Sequence, residues 1–321
     1  MERLDVFMAR ANAAYYATRE PYADFATAPE ISQVFGELLG LWAAVAWDFM
    51  GRPDPVVLAE AGPGRGTLMV DALRAAEQVA PAFRKALRLH LVESSPRLRA
   101  IQAARLAAEA WHDTVDTLPD GPMVLLANEF LDALPIRQFV RRESGWAERH
   151  VRQGRFVELP CPAPAVGTGA VLEICEPAQA VVAALARRFT HRPGVALFLD
   201  YGPETEICGD SLQAVRDGKA ADPLADPGCA DLSAHVAFPT LAATAREIGA
   251  AVFGPVPQGL FLARLGLFQR TDRLALRKPV AQAMALIEAA RRLAEPDAMG
   301  RLFKAFAIVS PKLPEPPGFG A

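Results

Sequence analysis

The chain has 321 residues, with 34 Lys and Arg against 37 Asp and Glu, for a formal charge of −3. That balance excludes a polybasic nucleic-acid binder. Hydrophobic residues make up 51% and charged ones 22%, which supplies a large core, excludes disorder as the main state, and at this length allows one large domain or two smaller ones.

In chain order, the opening Met1-Glu2-Arg3-Leu4-Asp5 places acids among its first residues, with no apolar run behind a basic start. Neither a secretory signal nor an Arg-rich transit peptide is expected. From Pro29 to Met50, Ile31, Val34, Phe35, Leu38, Trp42, Val45 and Phe49 recur at helical spacing, and Gly51 and Pro53 supply stop signals. One amphipathic helix is predicted there. Its apolar run Leu38 to Trp47 stops at Asp48, well short of the roughly 20 residues that cross a bilayer. A soluble intracellular chain is the expectation.

Pro55 to Glu60 reads as a buried strand, Gly62 to Gly66 as a tight loop, and Thr67 to Val79 as a helix ending before Pro81. Leu89 to Glu93 is the next strand; Ser95 then caps a helix with Pro96 at its first position and Leu98, Ile101 and Leu106 on its apolar face. Met123 to Ala127 is a third apolar strand. From Pro135 to Cys175, short strands Ile136–Val140, Trp146–Val151 and Phe156–Leu159 suggest a meander added to the main sheet. A helix Ala178–Phe189 and a strand Val195–Leu199 follow, the latter ending at Asp200-Tyr201-Gly202. Pro203 to Pro239 reads as loop; then come helix Thr240–Ile248, strand Ala251–Phe253, a helix near Val280–Leu293 and a last strand Leu302–Val309. Alternating strands and helices imply a mostly parallel sheet covered on both faces, with ligand chemistry at the carboxyl ends of its strands. Cys161, Cys175, Cys208 and Cys229 match neither a C-x-x-C pair nor a zinc-ligand spacing and read as free thiols, with no metal site expected.

The loop Glu60-Ala61-Gly62-Pro63-Gly64-Arg65-Gly66-Thr67 has the glycine pattern G-x-G-x-G. It lacks the Lys-Ser/Thr of a phosphate-binding P-loop, and Thr67 stands where a dinucleotide fingerprint needs its third small residue. Alternate glycines let backbone approach a small zwitterion, such as the amino-acid end of S-adenosylmethionine. Its ammonium would meet Glu60, and its carboxylate the loop N–H groups. Glu93 ends the second strand where a carboxylate can accept ribose hydroxyls. The plainer reading makes the glycines a tight turn and the acids helix-start residues.

Asn128-Glu129-Phe130-Leu131-Asp132 follows the third strand and should face the cleft. Glu129 and Asp132 can orient a guanidinium nucleophile on line with a methyl group by bidentate hydrogen bonds; equally, Asp132 is a turn or cap residue. His112 can stack on adenine or sit in a surface turn, and His235 can act as a general base or merely follow a helix cap made by Asp231 or Ser233. Tyr15, Tyr16 and Tyr22 fit an acceptor channel or simple packing.

Asp24-Phe25-Ala26-Thr27-Ala28-Pro29-Glu30-Ile31-Ser32, followed by Phe35-Gly36-Glu37-Leu38, resembles the opening motif of the MidA-like class I methyltransferases. That family includes the mitochondrial complex I assembly arginine methyltransferase. Glu60–Thr67, Val92–Pro96, Asn128–Pro135, Asp200–Gly202, Pro227-Gly228 with Asp231–Val236, Gln258–Leu262 and Met299–Lys304 resemble the same family, in order, over nearly the whole chain. The resemblance implies an α/β class I (Rossmann-like) seven-stranded methyltransferase sheet with helices on both faces and inserted substrate-covering segments. It implies S-adenosylmethionine as the donor; the residues expected to bind it are Glu60, Gly62, Gly64, Gly66, Thr67, Glu93, His112 and Asn128, and those expected to be catalytic are Glu129, Asp132 and His235. It further implies a protein-arginine acceptor, in the mitochondrial branch a subunit of respiratory NADH dehydrogenase.

The expected organisation is an N-terminal arm and helix over 1–54 and a methyltransferase domain over 55–321, with insertions at about 136–175 and 203–239. The expected location is the cytoplasm in a bacterium, or the mitochondrial matrix in a eukaryote, with no nucleic acid or membrane insertion and the oligomeric state open. Departures from the family pattern fall at Ala14 in Ala14-Tyr15-Tyr16, in a shortened connection to Asp24, and at Val215, Gly218 and Ala237. They leave the donor loop intact and keep two other readings in play: a small-molecule O- or N-methyltransferase, and a non-catalytic respiratory-complex assembly factor.

Overall fold

A computed structural model describes residues 1–19, 26–164, 170–205 and 209–320. Tyr22, Asp24, Phe25 and Cys208 lie outside them. The chain forms two compact units: one from Met1–Ala26, Phe130–Val181 and Gly202–Ala243, the other from Thr27–Glu129, Val182–Tyr201 and Thr244–Ala321. The expected 1–54 arm is thus divided near Thr27.

The second unit holds a seven-stranded sheet made of β1 (Val56–Ala61), β2 (Leu87–Val92), β3 (Ala110–His112), β4 (Met123–Asn128), β5 (Gly194–Tyr201), β6 (Ala251–Pro257) and β7 (Phe303–Val309). Its order is β6-β7-β5-β4-β1-β2-β3. Neighbours from β5 to β3 run parallel, and β7 is antiparallel to both β5 and β6. The strand order reverses between β1 and β4, the switch point where open α/β sheets bind ligands. Every residue of β1, β4 and β5 is buried, which is why these strands read as near-continuous apolar runs, polar only toward their carboxyl ends, instead of alternating ones.

Helix Gln33–Phe49 lies on helix Thr67–Val79 with little room to spare. A Cβ built on Gly36 would sit 2.8 Å from the Leu68 carbonyl oxygen, and one on Gly40 would sit 2.5 Å from that of Ala72. The glycines one turn apart therefore let two backbones touch, and Phe35, Leu39, Trp42, Leu68, Met69 and Ala72 close the core around them. The single helix predicted from Pro29 to Met50 is broken. Ser32 is extended (φ −150°, ψ 127°), separating Ala28–Ile31 from Gln33–Phe49, and its hydroxyl accepts from Val34 N at 3.3 Å. A serine in register with an apolar stripe still competes for the backbone as a cap.

In the first unit, the meander expected on the main sheet builds a sheet of its own. Strands Arg137–Arg142, Gly145–Arg152, Arg155–Cys161 and Val171–Ile174 are antiparallel, and Glu2–Arg3 adds to Gly145–Arg152. The segment read as loop contains a second small sheet, Gln213–Arg216, Lys219–Ala221 and Asp231–Ser233. Helix Leu4–Thr18, unread in the sequence, buries Leu4, Phe7, Met8, Ala11 and Tyr15 among Ile136, Val151, Ala214 and Leu232. Helices Gln258–Arg264 and Leu267–Ala275 of the sheet unit were likewise unread. Cys161, Cys175 and Cys229 form no disulfide among the described residues. Among the described residues no helix is long and apolar enough to cross a membrane.

Candidate functional site

β1 carries Glu60 into the interior near its carboxyl end. Its side chain is 2% exposed, burial pushes its pKa from 4.5 to about 8, and Oε2 has no hydrogen-bond partner among the described residues. A buried carboxyl without a cation is costly unless something supplies one. The chain then turns through Gly62, Gly64 and Gly66 with φ of 67°, 54° and 76°, left-handed conformations that side chains disfavour. Gly62 N donates to Val92 O at 3.0 Å and Gly66 N to Pro63 O at 2.7 Å, and Gly66 opens helix Thr67–Val79. Loop amides and a helix start beside an unpaired buried carboxyl suit a group bearing both an ammonium and a carboxylate. The donor inferred from the glycine pattern therefore fits the residues present. The Thr67 hydroxyl, expected at that donor, donates to Glu30 Oε1 at 2.6 Å and accepts from Arg105 at 3.0 Å.

After β2, Glu93 is held on both oxygens. Oε1 accepts from Ser95 N at 2.8 Å and Oε2 from Gln102 Nε2 at 3.4 Å. Burial raises its pKa, and the Ser95 and Gln102 hydrogen bonds oppose that rise. Gln102 is fully buried. Its Nε2 also donates to Gly64 O at 2.7 Å, and its Oε1 accepts from Trp111 Nε1 at 2.8 Å. Sequence reasoning passed over this residue, although one signal marked it: Gln102 lies one turn after Leu98, on a helical face that is otherwise apolar. Ser95 caps that helix as predicted, accepting from Leu98 N at 3.4 Å.

His112 ends β3. Its ring nitrogens lie 3.0 Å from His90 Nδ1 and 3.1 Å from Thr117 Oγ1, and its carbonyl accepts from Glu93 N at 2.9 Å. Burial lowers the pKa of both imidazoles. The ring's polar atoms are thus engaged within the protein, and its backbone ties the Glu93 loop to the sheet.

At the end of β4, Asn128 is buried. Its Nδ2 donates to Glu129 Oε1 at 3.0 Å, while its Oδ1 has no partner among the described residues. Glu129 adopts φ 49°, a left-handed conformation that costs a non-glycine residue about 1–2 kcal/mol. It is held there because its N donates to Leu199 O at 2.9 Å and its Oε1 accepts from Ala28 N at 3.1 Å.

Asp132 and His235 belong to the first unit. Asp132 is buried and its carbonyl accepts from Ala234 N at 3.0 Å, so the two predicted residues sit on joined backbones. His235 N donates to Ser211 Oγ at 2.8 Å, and the Ser211 hydroxyl donates to Glu173. His235 lines a cavity of about 70 Å³ with Leu131, Ile136, Cys175, Ala178 and Ala237. Asn12 pins the N-terminal helix here: its Nδ2 donates to Ala133 O and Leu232 O at 3.0 and 2.8 Å, and its Oδ1 accepts from Leu232 N at 3.0 Å. Asp231 and Ser233 lie in a strand, and the helix begins only at Phe238, so the capping reading fails. Instead Asp231 accepts from the Tyr16 hydroxyl at 2.7 Å. Tyr15 is buried and meets Tyr16 edge-on at 5.2 Å.

Comparison with known proteins points to the same donor. Residues 38–256 match a family model described as "Putative S-adenosyl-L-methionine-dependent methyltransferase". The chain is 33% identical to "Protein arginine methyltransferase NDUFAF7, mitochondrial" of Xenopus laevis, over 90% of this chain and 75% of that protein. The protein of the same name in Mus musculus is 34% identical over 89% and 74%. A COG1565 superfamily member from Burkholderia thailandensis, solved with S-adenosyl-homocysteine bound, superposes with a TM-score of 0.77 at 26% identity, over 99% of this chain and 88% of that one. The chain belongs to this family of S-adenosyl-L-methionine-dependent methyltransferases, with the class I fold.

Proposed function

We propose that the chain methylates an arginine side chain of a protein, with a subunit of respiratory NADH dehydrogenase as the expected acceptor, in the bacterial cytoplasm or the mitochondrial matrix. The observation that carries the donor half is Glu60, a buried carboxyl whose Oε2 has no partner among the described residues and which is followed in the chain by three left-handed glycines. The acceptor half rests on relatives named as protein arginine methyltransferases. It rests also on the family resemblance, in which the mitochondrial branch acts on that complex.

When bound, S-adenosylmethionine supplies a methyl group on a sulfonium, open to in-line displacement. In this reading Glu60 would take the donor's ammonium and the loop amides other than Gly62 N and Gly66 N, which Val92 O and Pro63 O already engage, its carboxylate; Glu93 would take its ribose hydroxyls, and Asn128 would offer Oδ1, which has no partner among the described residues, as a further acceptor. His112 holds the edge of the adenine side through its carbonyl bond to Glu93. Glu129 and Asp132 orient the guanidinium and keep its charge on one side, which holds a nitrogen lone pair ready for attack. The nitrogen gains a carbon and must lose a proton, and His235 is the base for it. Its backbone is fixed by Ser211, so the ring can serve as a positioned acceptor.

The test is transfer of a labelled methyl group in lysate from a strain lacking the gene. Label in a protein, recovered as methylarginine after acid hydrolysis, supports the reading; label only in a small extractable product overturns it. The second outcome is the small-molecule reading, which the cavity beside His235 favours, since Ala237 in its lining departs from the family pattern. Rescue of complex assembly by a Gly64→Val protein that binds no donor would favour the non-catalytic reading instead.

A further inference from the structure

Gln102 joins three parts of the donor region that are far apart in the chain: the glycine loop through Gly64 O, the β2 loop through Glu93 Oε2, and β3 through Trp111 Nε1. The orientation of its amide is forced. The Trp111 indole can only donate and the Gly64 carbonyl can only accept, so Oε1 must face the former and Nε2 the latter. Both Nε2 hydrogens are then used, on Gly64 and on Glu93, and the Gln102 side chain itself is fully buried. Glu93 has its other oxygen bound by Ser95 N. The carboxylate is therefore gripped from two directions, and the lone pairs left to it point one way.

We propose that Gln102 is a positioning residue that sets the donor's ribose selectivity, by fixing the Glu93 carboxylate and its spacing from the glycine loop. The inference rests on the assignment of Glu93 to the ribose hydroxyls. A flexible carboxylate would still attract a hydroxyl, but it would tolerate the loss of one. A carboxylate clamped at both oxygens leaves an unpaired buried acceptor when a hydroxyl is missing.

The test is calorimetric binding of S-adenosylhomocysteine and of its 2′-deoxy analogue to the purified full chain, with Gln102→Leu and Gln102→Glu. The wild type should prefer the ribose form by about 10- to 100-fold, the loss expected when a buried acceptor goes unpaired. Gln102→Leu should weaken S-adenosylhomocysteine by about 10-fold and bring the preference below about 3-fold. Gln102→Glu keeps the acceptor for Trp111 but turns a donor against Glu93 into a second carboxyl. Its affinity should fall as pH rises from 6 to 9 and recover at pH 6, where one proton is shared between the two acids.

A role in folding alone predicts equal weakening of both ligands and no such pH dependence, and that result overturns the proposal. If Gln102→Leu does not fold, Gln102→Glu and Trp111→Phe carry the same comparison, and an unchanged preference in both refutes it. Failure of the wild type to bind S-adenosylhomocysteine, or to prefer it over the deoxy form, refutes the Glu93 assignment and the inference with it.

Discussion

Glu60, Gly62, Glu93 and Asn128 all stand within two residues of the end of a parallel strand, whereas Asp132, Asn12, Ser211 and His235 are joined by hydrogen bonds that bridge unrelated stretches of chain. Asn12 and Leu232 lie 220 positions apart. The difference shows two ways of placing polar groups. In the sheet unit the strand order and a local turn deliver each group, so a short motif specifies it. In the other unit a helix, a meander and a short three-stranded sheet must first find one another, and the polar groups are held by side chains that no motif announces.

Changes at Glu60 should have the largest effect. Glu60→Ala should weaken donor binding roughly 10²- to 10³-fold in a calorimetric titration, the size expected when one partner of a buried charged pair is removed. The ligand-free protein should meanwhile grow more stable. With a carboxyl pKa raised from 4.5 to about 8, the native state keeps a proton that the unfolded chain has lost. Stability is therefore full below pH 4.5 and falls until about pH 8, by on the order of 5 kcal/mol. Thermal melts of the ligand-free protein across that window should show the slope, and Glu60→Gln should flatten it. A donor affinity that survives Glu60→Ala would remove the donor half of the comparison.

Next come the acceptor-side groups. His235→Ala or Asp132→Asn should slow methyl transfer about 100-fold while donor affinity stays within about twofold. If donor affinity drops as far as turnover does, the two halves are one cooperative structure and the contrast fails. Asn12→Leu strips partners from Leu232 N, Leu232 O and Ala133 O, and should destabilise by about 2 kcal/mol, measured by urea unfolding. Because Asn12 braces the segment that includes Asp231 to His235, the same variant should raise the acceptor KM more than the donor KM. The smallest effect belongs to Ser95→Ala, which loses a helix cap worth about 1 kcal/mol and loosens the turn that holds Glu93.

Much of the sheet was readable before folding because buried parallel strands are continuous apolar runs and their loops carry glycines: helix Thr67–Val79 and the Ser95 cap stand where the pattern put them. Ser32 sits in a helical period yet caps through a local contact to Val34 N. The meander forms its own sheet, and the buried face of Leu4–Thr18 is diluted by alanines. For those two segments the deciding contacts are remote in sequence. Gln102 is the sharpest example, since nothing near it in the chain says that its amide will meet Gly64 and Trp111.

By itself the sequence determined the donor chemistry: a strand-end acid, three alternate glycines and a second strand-end acid leave few ligands that fit, and local backbone geometry is sufficient to place them. The tertiary structure alone decided how those groups are held. Burial left Glu60 Oε2 without a partner among the described residues, Ser95 and Gln102 fixed both oxygens of Glu93, and contacts to Ala28 and Leu199 kept Glu129 in a left-handed conformation. Desolvation and hydrogen-bond satisfaction are properties of what packs around a group, and packing is not written in any one stretch of chain.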